Sequence, residues 1–128
     1  MQRKNISSGA KWEDIVGYSR AVIVGNMVHI AGTTSIDEHG KVVGKENPYE
    51  QTIHTFSIIK DALEQAGSTF ENVVRTRMYV TDISRWEEYG KAHGEIFKNI
   101  KPASTMVEVS ALVDPELMIE IEVDAYIS

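Results

Sequence analysis

The 128-residue chain has no cysteine, which excludes disulfide staples, thiolate metal sites and a thiol nucleophile, and permits a reducing compartment. No apolar run approaches the length of a membrane span, so a membrane-spanning helix is not expected. The opening stretch MQRKNISSGAKWED carries basic residues without the apolar core of a signal peptide, and cytoplasm is the expected compartment. Positive charge is also short. Thirteen Lys and Arg face nineteen Asp and Glu, a net charge of −6, which argues against a partner bound through the phosphate backbone of nucleic acid. What is present is ordinary for a globular protein: hydrophobic residues make up 42% and charged residues 25%, enough apolar surface to exclude disordered and fibrous classes. At this length residues 1–128 are expected to form a single domain.

Apolar periodicity gives the element order. Ala21 to Val24 and Met27 to Ala31 flank Gly25-Asn26, a hairpin with a primed turn, and a short strand is expected around Lys41 to Val43. The stretch NPYEQTIHTFSIIKDALEQAG reads as a helix with Asn47 as cap, Pro48 in the first position, Glu50 where a capping-box acid belongs and Gly67 at the end. Ile53, Phe56, Ile58, Ile59, Leu63 and Ala66 form its apolar stripe. VVRTRMYVTD then alternates, with Val74, Thr76, Met78 and Val80 on one face and Arg75, Arg77, Tyr79 and Thr81 on the other. A second helix follows in DISRWEEYGKAHGEIF, capped by Asp82 or Ser84, with Trp86, Tyr89, His93, Ile96 and Phe97 turned inward. Gly90 and Gly94 weaken it by roughly 1 kcal/mol each unless a close contact needs them. The strands STMVEVS and LMIEIEVDAYI close the chain.

Two helices cover one face of such a sheet. Yet Ala21 to Val24 and Met27 to Ala31 are apolar on both faces, and no segment remains to cover the second. A second copy of the chain is expected to do so, leaving grooves lined by polar residues between subunits.

Three stretches, GYSRAVIVGNMVHIAGTTSID, VVRTRMYVTDISRWEEYGKAHGEIF and KPASTMVEVSALVDPELMIEIEVDAYI, resemble the Rid family, also called YjgF or endoribonuclease L-PSP. The likeness runs from about Gly17 to Ile127. It implies an α+β, chorismate-mutase-like fold: a six-stranded, mostly antiparallel sheet with two helices on one face, assembled as a homotrimer with three small-ligand clefts between subunits. It also implies hydrolysis of reactive enamines or imines to ketoacids and ammonia without metal or cofactor. Residue by residue, Tyr18 matches the family's Gly-Tyr tyrosine and Gly32 the glycine that lets a ligand approach the backbone. Glu120 matches the first acid of the IEIE strand, placed in the deaminases to orient a water for attack on the imine carbon.

One stretch departs from the family. Imine deaminases read Pro-Ala-Arg-Ser-Cys or similar where this chain has Pro102, Ala103, Ser104, Thr105 and Met106. The arginine that grips a substrate carboxylate is replaced by Ser104, whose single hydroxyl offers neither the fork nor the charge. Met106 stands at the cysteine position, and Gly90 where the family often has asparagine.

Each candidate has a structural alternative. Glu120 and Glu122 share a strand face and either do acid-base work or pair with Arg75 and Arg77. Tyr18 either closes a cleft over a ligand or packs at a subunit edge. Ser104 and Thr105 either bind a polar, uncharged ligand or satisfy backbone at a strand start. Arg20 either binds an anion from a different direction or is a surface arginine. His29, His39, His54 and His93 show no metal-ligand spacing, so neither metal nor cofactor is expected. The expected partner is a small metabolite, and the expected activity is hydrolysis of an enamine or imine other than the usual 2-iminoacids. A non-catalytic binding or chaperone-like module is the alternative, and ribonuclease ranks last.

Overall fold

The computed structural model describes residues 1–128. The chain runs β1 (Arg3–Ile6), α1 (Lys11–Val16), β2 (Ala21–Val24), β3 (Met27–Thr34), α2 (Pro48–Ala66), β4 (Val73–Val80), α3 (Trp86–Phe97), β5 (Ala103–Glu108) and β6 (Ile119–Tyr126). The six strands form one sheet in the order β1-β2-β3-β6-β4-β5, antiparallel except for the β4-β5 pair. This is the expected α+β architecture. Its sixth strand is β1, which pairs with β2, whereas Lys41 to Val43 contributes only an isolated bridge between Ile36 and Val42. Nor was α1 anticipated: its six residues are too few to show a helical period.

The β2-β3 hairpin turns with Gly25 at φ 60° while Asn26 keeps a negative φ, so only the first turn position needs glycine, as in a type II′ turn. Helix α2 begins and ends where its punctuation predicts. The Asn47 side chain accepts from the Glu50 N–H at 2.9 Å, Pro48 occupies the first turn, and Gly67 takes the left-handed conformation at φ 85°. Its buried face is rotated from the expected stripe: Phe56, Ile59, Leu63 and Ala66 are buried, Ile53 and Ile58 only half so, and Gln51, Thr52 and Thr55 lie fully inside. Gln51 tolerates burial because its amide donates to the Gly44 and Glu116 carbonyls and accepts from the Met118 N–H, tying the loops before α2 and β6 together.

Helices α2 and α3 cover one face of the sheet. Phe56 and Phe97 meet edge to face at 5.3 Å and pack with Tyr89, Ile59 and Leu63 over Val28, Ile30, Met78, Val80, Ile119, Ile121 and Val123. Each such large side chain contributes about 1.5–3 kcal/mol relative to exposure. Two residues leave the faces expected for them. Trp86 is 56% exposed, because a 3-10 turn at Ile83–Arg85, capped by Asp82, delays the helix and leaves Trp86 in its first turn, before the inward stripe of Tyr89, Ala92 and Phe97. Val74 is exposed because a bulge between Val73 and Arg75 puts Val73 inside instead. Nothing within 4 Å would meet a Cβ at Gly94, and at Gly90 only Trp86 comes within 3.9 Å, so no contact in the chain requires either glycine.

The other face of the sheet has no cover from this chain beyond α1 at one margin. It presents Val22, His29, Arg75, Arg77, Tyr79, Glu120, Glu122 and Asp124. No helix is long and apolar enough to cross a membrane.

Candidate functional site

Strand alternation divides β6 cleanly. Ile119, Ile121, Val123 and Ala125 are buried under the helices, so Glu120, Glu122 and Asp124 project from the open face. Their environments differ. Asp124 accepts from Arg77 at 3.0 Å and bonds His29 Nδ1 at 2.8 Å. Burial alone would raise its carboxyl, but these two bonds outweigh that and hold it below the usual carboxylate range. Glu122 accepts from the Tyr79 hydroxyl at 2.6 Å, which pushes the phenol up. The ion-pair layer weighed for Glu120 and Glu122 therefore forms two residues further on, between Arg77 and Asp124, while Arg75 pairs with no acid.

Glu120 receives no hydrogen bond. Its carboxylate lies directly over Gly32, where a Cβ would come within 2.1 Å of Oε2. Gly32 sits in the register shift between Ile30 and Thr33, and it is the lack of a side chain there that lets the carboxylate reach the backbone. Burial raises the Glu120 carboxyl, the neighbouring charge of Glu122 adds to this, and Arg20 opposes it. Arg20 is half-buried rather than a surface arginine. Its Nη2 donates to the Gly32 carbonyl at 2.7 Å, and its buried Nε has no partner. Tyr18 is 40% exposed and lines, with Asn5, His29, Arg77 and Asp124, an open concavity of about 710 Å³ between α1 and the sheet. Helix α1 is anchored there by Glu13, which accepts from the Ser8 N–H and hydroxyl.

Ser104 lies elsewhere. The parallel register pairs Thr76 with Ser104 and Arg77 with Thr105, so Ser104 and Met106 face the helices and Thr105 faces the opposite side. Thr76 is buried, donates to Ser104 Oγ at 2.7 Å, and bonds His93 Nε2 at 2.9 Å. His93 is wedged against the Phe56 and Phe97 rings, and its burial lowers its pKa. Met106 is half-buried against the core. The structure thus brings Glu120, Gly32 and Arg20 together, with Tyr18 nearby along the same face. It places Ser104 and Met106 across the sheet and separates Thr105 from both.

Sequence reasoning passed over Thr76, Asp124 and the link from His93 to Ser104. Thr76 did carry a signal: it is the one polar residue in the buried series of β4, and a buried hydroxyl needs a partner. Nowhere do three His, Asp or Glu side chains converge as metal ligands.

Comparison with known proteins agrees with this architecture. Residues 9–127 match the model of the family described as endoribonuclease L-PSP. The crystal structure of a member of the YjgF/YER057c/UK114 family from Mycobacterium tuberculosis superposes with a TM-score of 0.88 at 48% identity, covering 98% of this chain and 100% of that one. A RutC family protein of Pyrococcus abyssi is 38% identical over 85% of each chain. An uncharacterized protein of Streptomyces coelicolor is 33% identical over 96% of this chain and 91% of its own.

Proposed function

Since the chain belongs to the endoribonuclease L-PSP (YjgF/Rid) family, we propose that it assembles as a homotrimer with small-metabolite clefts between subunits and hydrolyses a reactive enamine or imine other than the usual 2-iminoacids. One observation carries the reading: Glu120 is a half-buried carboxylate with no hydrogen-bond donor of its own, poised over the bare backbone of Gly32. A carboxylate so placed is free to hold a water, and its raised pKa makes it a stronger base than an ordinary glutamate. The water's oxygen adds to the imine carbon as Glu120 takes one of its protons. That proton passes to the imine nitrogen to give a carbinolamine, and a second transfer through the same carboxylate, from the carbinolamine hydroxyl to nitrogen, accompanies C–N cleavage and leaves a carbonyl and ammonia. Arg20 holds the Gly32 carbonyl in place and moderates the charge of Glu120.

The same geometry supports the assembly. Glu120 and Ser104 lie on opposite faces of one sheet, two strands apart, so one small ligand touches both only if they come from different copies. The uncovered face of β2 and β3 is the surface a second copy would cover. A nuclease reading ranks last: the net charge is −6 and the open face interleaves its arginines with acids.

The test is ammonia or ketoacid release from enamines generated in situ, with 2-aminoacrylate as the carboxylate-bearing substrate and uncharged enamines beside it. Release from uncharged substrates, lost in Glu120→Gln, supports the reading. Full activity of wild type on 2-aminoacrylate would sink the altered specificity. Saturable metabolite binding without any turnover would favour the non-catalytic binding module. A solution mass other than that of three chains removes the trimer.

A further inference from the structure

The position that carries an arginine in imine deaminases is tied in this chain to a half-buried histidine through Thr76, and that connection bears on what it recognises. Thr76 Oγ1 lies 2.7 Å from Ser104 Oγ and has one hydroxyl proton to give, either to Ser104 or to His93. When His93 carries its proton on Nε2, the 2.9 Å contact is Nε2–H donating to the threonine oxygen, and Thr76 gives its proton to Ser104. Ser104, accepting from Thr76, keeps its own proton to give outward. The chain of donors runs from His93 inside the core to an exposed hydroxyl at the margin of β5.

Nothing along this chain is positively charged. His93 is enclosed by Phe56 and Phe97, and burial disfavours its imidazolium. The neighbours of Ser104 on the same face are Thr76, Met78 and Met106. A carboxylate brought here would be desolvated against one neutral donor, with no cation among the residues that share the Ser104 face to pair it. A carbonyl oxygen accepts the same bond without that penalty. We propose that Ser104 is a specificity-determining residue, held by Thr76 and His93 as positioning residues, and that it selects ligands bearing an uncharged carbonyl group, such as an amide or ester, where imine deaminases hold a carboxylate. This rests on the reading that the Ser104 margin lines the ligand cleft.

Stable, nearly isosteric probes exist in the two hydrolysis products, pyruvamide and pyruvate. Calorimetric titration of the full chain is expected to give a pyruvamide preference of about tenfold, the scale of one neutral hydrogen bond plus an avoided charge burial. Ser104→Ala, at an exposed position, and Thr76→Val, which keeps the buried shape, should each bring the ratio close to one. Thr76→Ser should retain the preference, and Ser104→Arg should reverse it toward pyruvate. The positioning role has its own signature: the His93 Nε2–H resonance should shift when pyruvamide binds wild type or Thr76→Ser, and should not respond in Thr76→Val of unchanged melting temperature.

Equal or tighter binding of pyruvate by wild type, an unchanged ratio in Ser104→Ala, or binding of neither probe overturns the proposal. The hydrolytic reading fails separately. Pyruvamide preference with no turnover of any enamine sinks hydrolysis and leaves the selectivity standing, while turnover without the preference does the reverse.

Discussion

The two faces of this sheet are made by the same strands and follow opposite rules. On the helix-covered face, Ile119, Ile121 and Val123 meet Phe56, Ile59 and Leu63, and the buried Gln51 amide is bonded to three backbone groups. On the open face, residues one step along β6 are acids in three states of satisfaction: Asp124 with two partners, Glu122 with one, Glu120 with none. The covered face leaves the neutral hydroxyls of Thr55 and Tyr89 unpaired, whereas the open face leaves an ionisable carboxylate without a partner beside a glycine. A half-buried carboxylate left without a donor amid partnered neighbours is open to a water or a ligand, which marks it as the place for chemistry on that face.

Substitutions on the two faces should therefore separate stability from activity. Phe56→Ala, on the covered face, removes a buried ring and should lower unfolding free energy by about 3–5 kcal/mol in denaturant titration, with any surviving folded protein still active. Glu120→Gln, on the open face, should do the reverse: enamine turnover falls by about 10²-fold or more, while the melting temperature holds or rises. Gly32→Ala tests whether the bare backbone matters. Its methyl would displace the flexible end of Glu120 rather than any backbone, so turnover should fall by about tenfold in a folded protein.

The acids should also part company with pH. Asp124, held below its ordinary pKa, contributes stability that is present above the unfolded value near pH 4 and is lost as pH falls through its lowered folded value. The midpoint difference between wild type and Asp124→Asn should accordingly be widest near neutrality and close in acid. Glu120 has the opposite sign, because its ionised form is the disfavoured one in the fold. Stability relative to Glu120→Gln should decline as pH rises through its elevated pKa, over the same interval in which turnover increases. The smallest effect belongs to the covering helix: Gly94→Ala should add about 0.5–1 kcal/mol, since the site is open within the chain. Absence of that gain would indicate that another copy packs there.

Much of the covered face was legible in the chain. Asn47, Pro48 and Gly67 bracket α2 because capping and left-handed turns are local requirements, and the alternation of β6 sorts its apolar from its acidic residues without reference to anything distant. The misses share a cause. Trp86, Val74 and the missing strand at Lys41 to Val43 each depend on a 3-10 turn, a bulge or a competing edge partner, none of which has a periodicity to read.

The amino-acid sequence by itself determined the β2-β3 hairpin, the limits of α2, the alternation of β6 and the replacement of the arginine position by Ser104, because local propensity and alternation act over a few residues. Only the tertiary structure decided which acid Arg77 takes, that Glu120 is left over Gly32, and that Ser104 is tied to His93 through Thr76 on the far side of the sheet. Those outcomes depend on the register between strands far apart in the chain. A shift of one residue would move every side chain concerned to the other face.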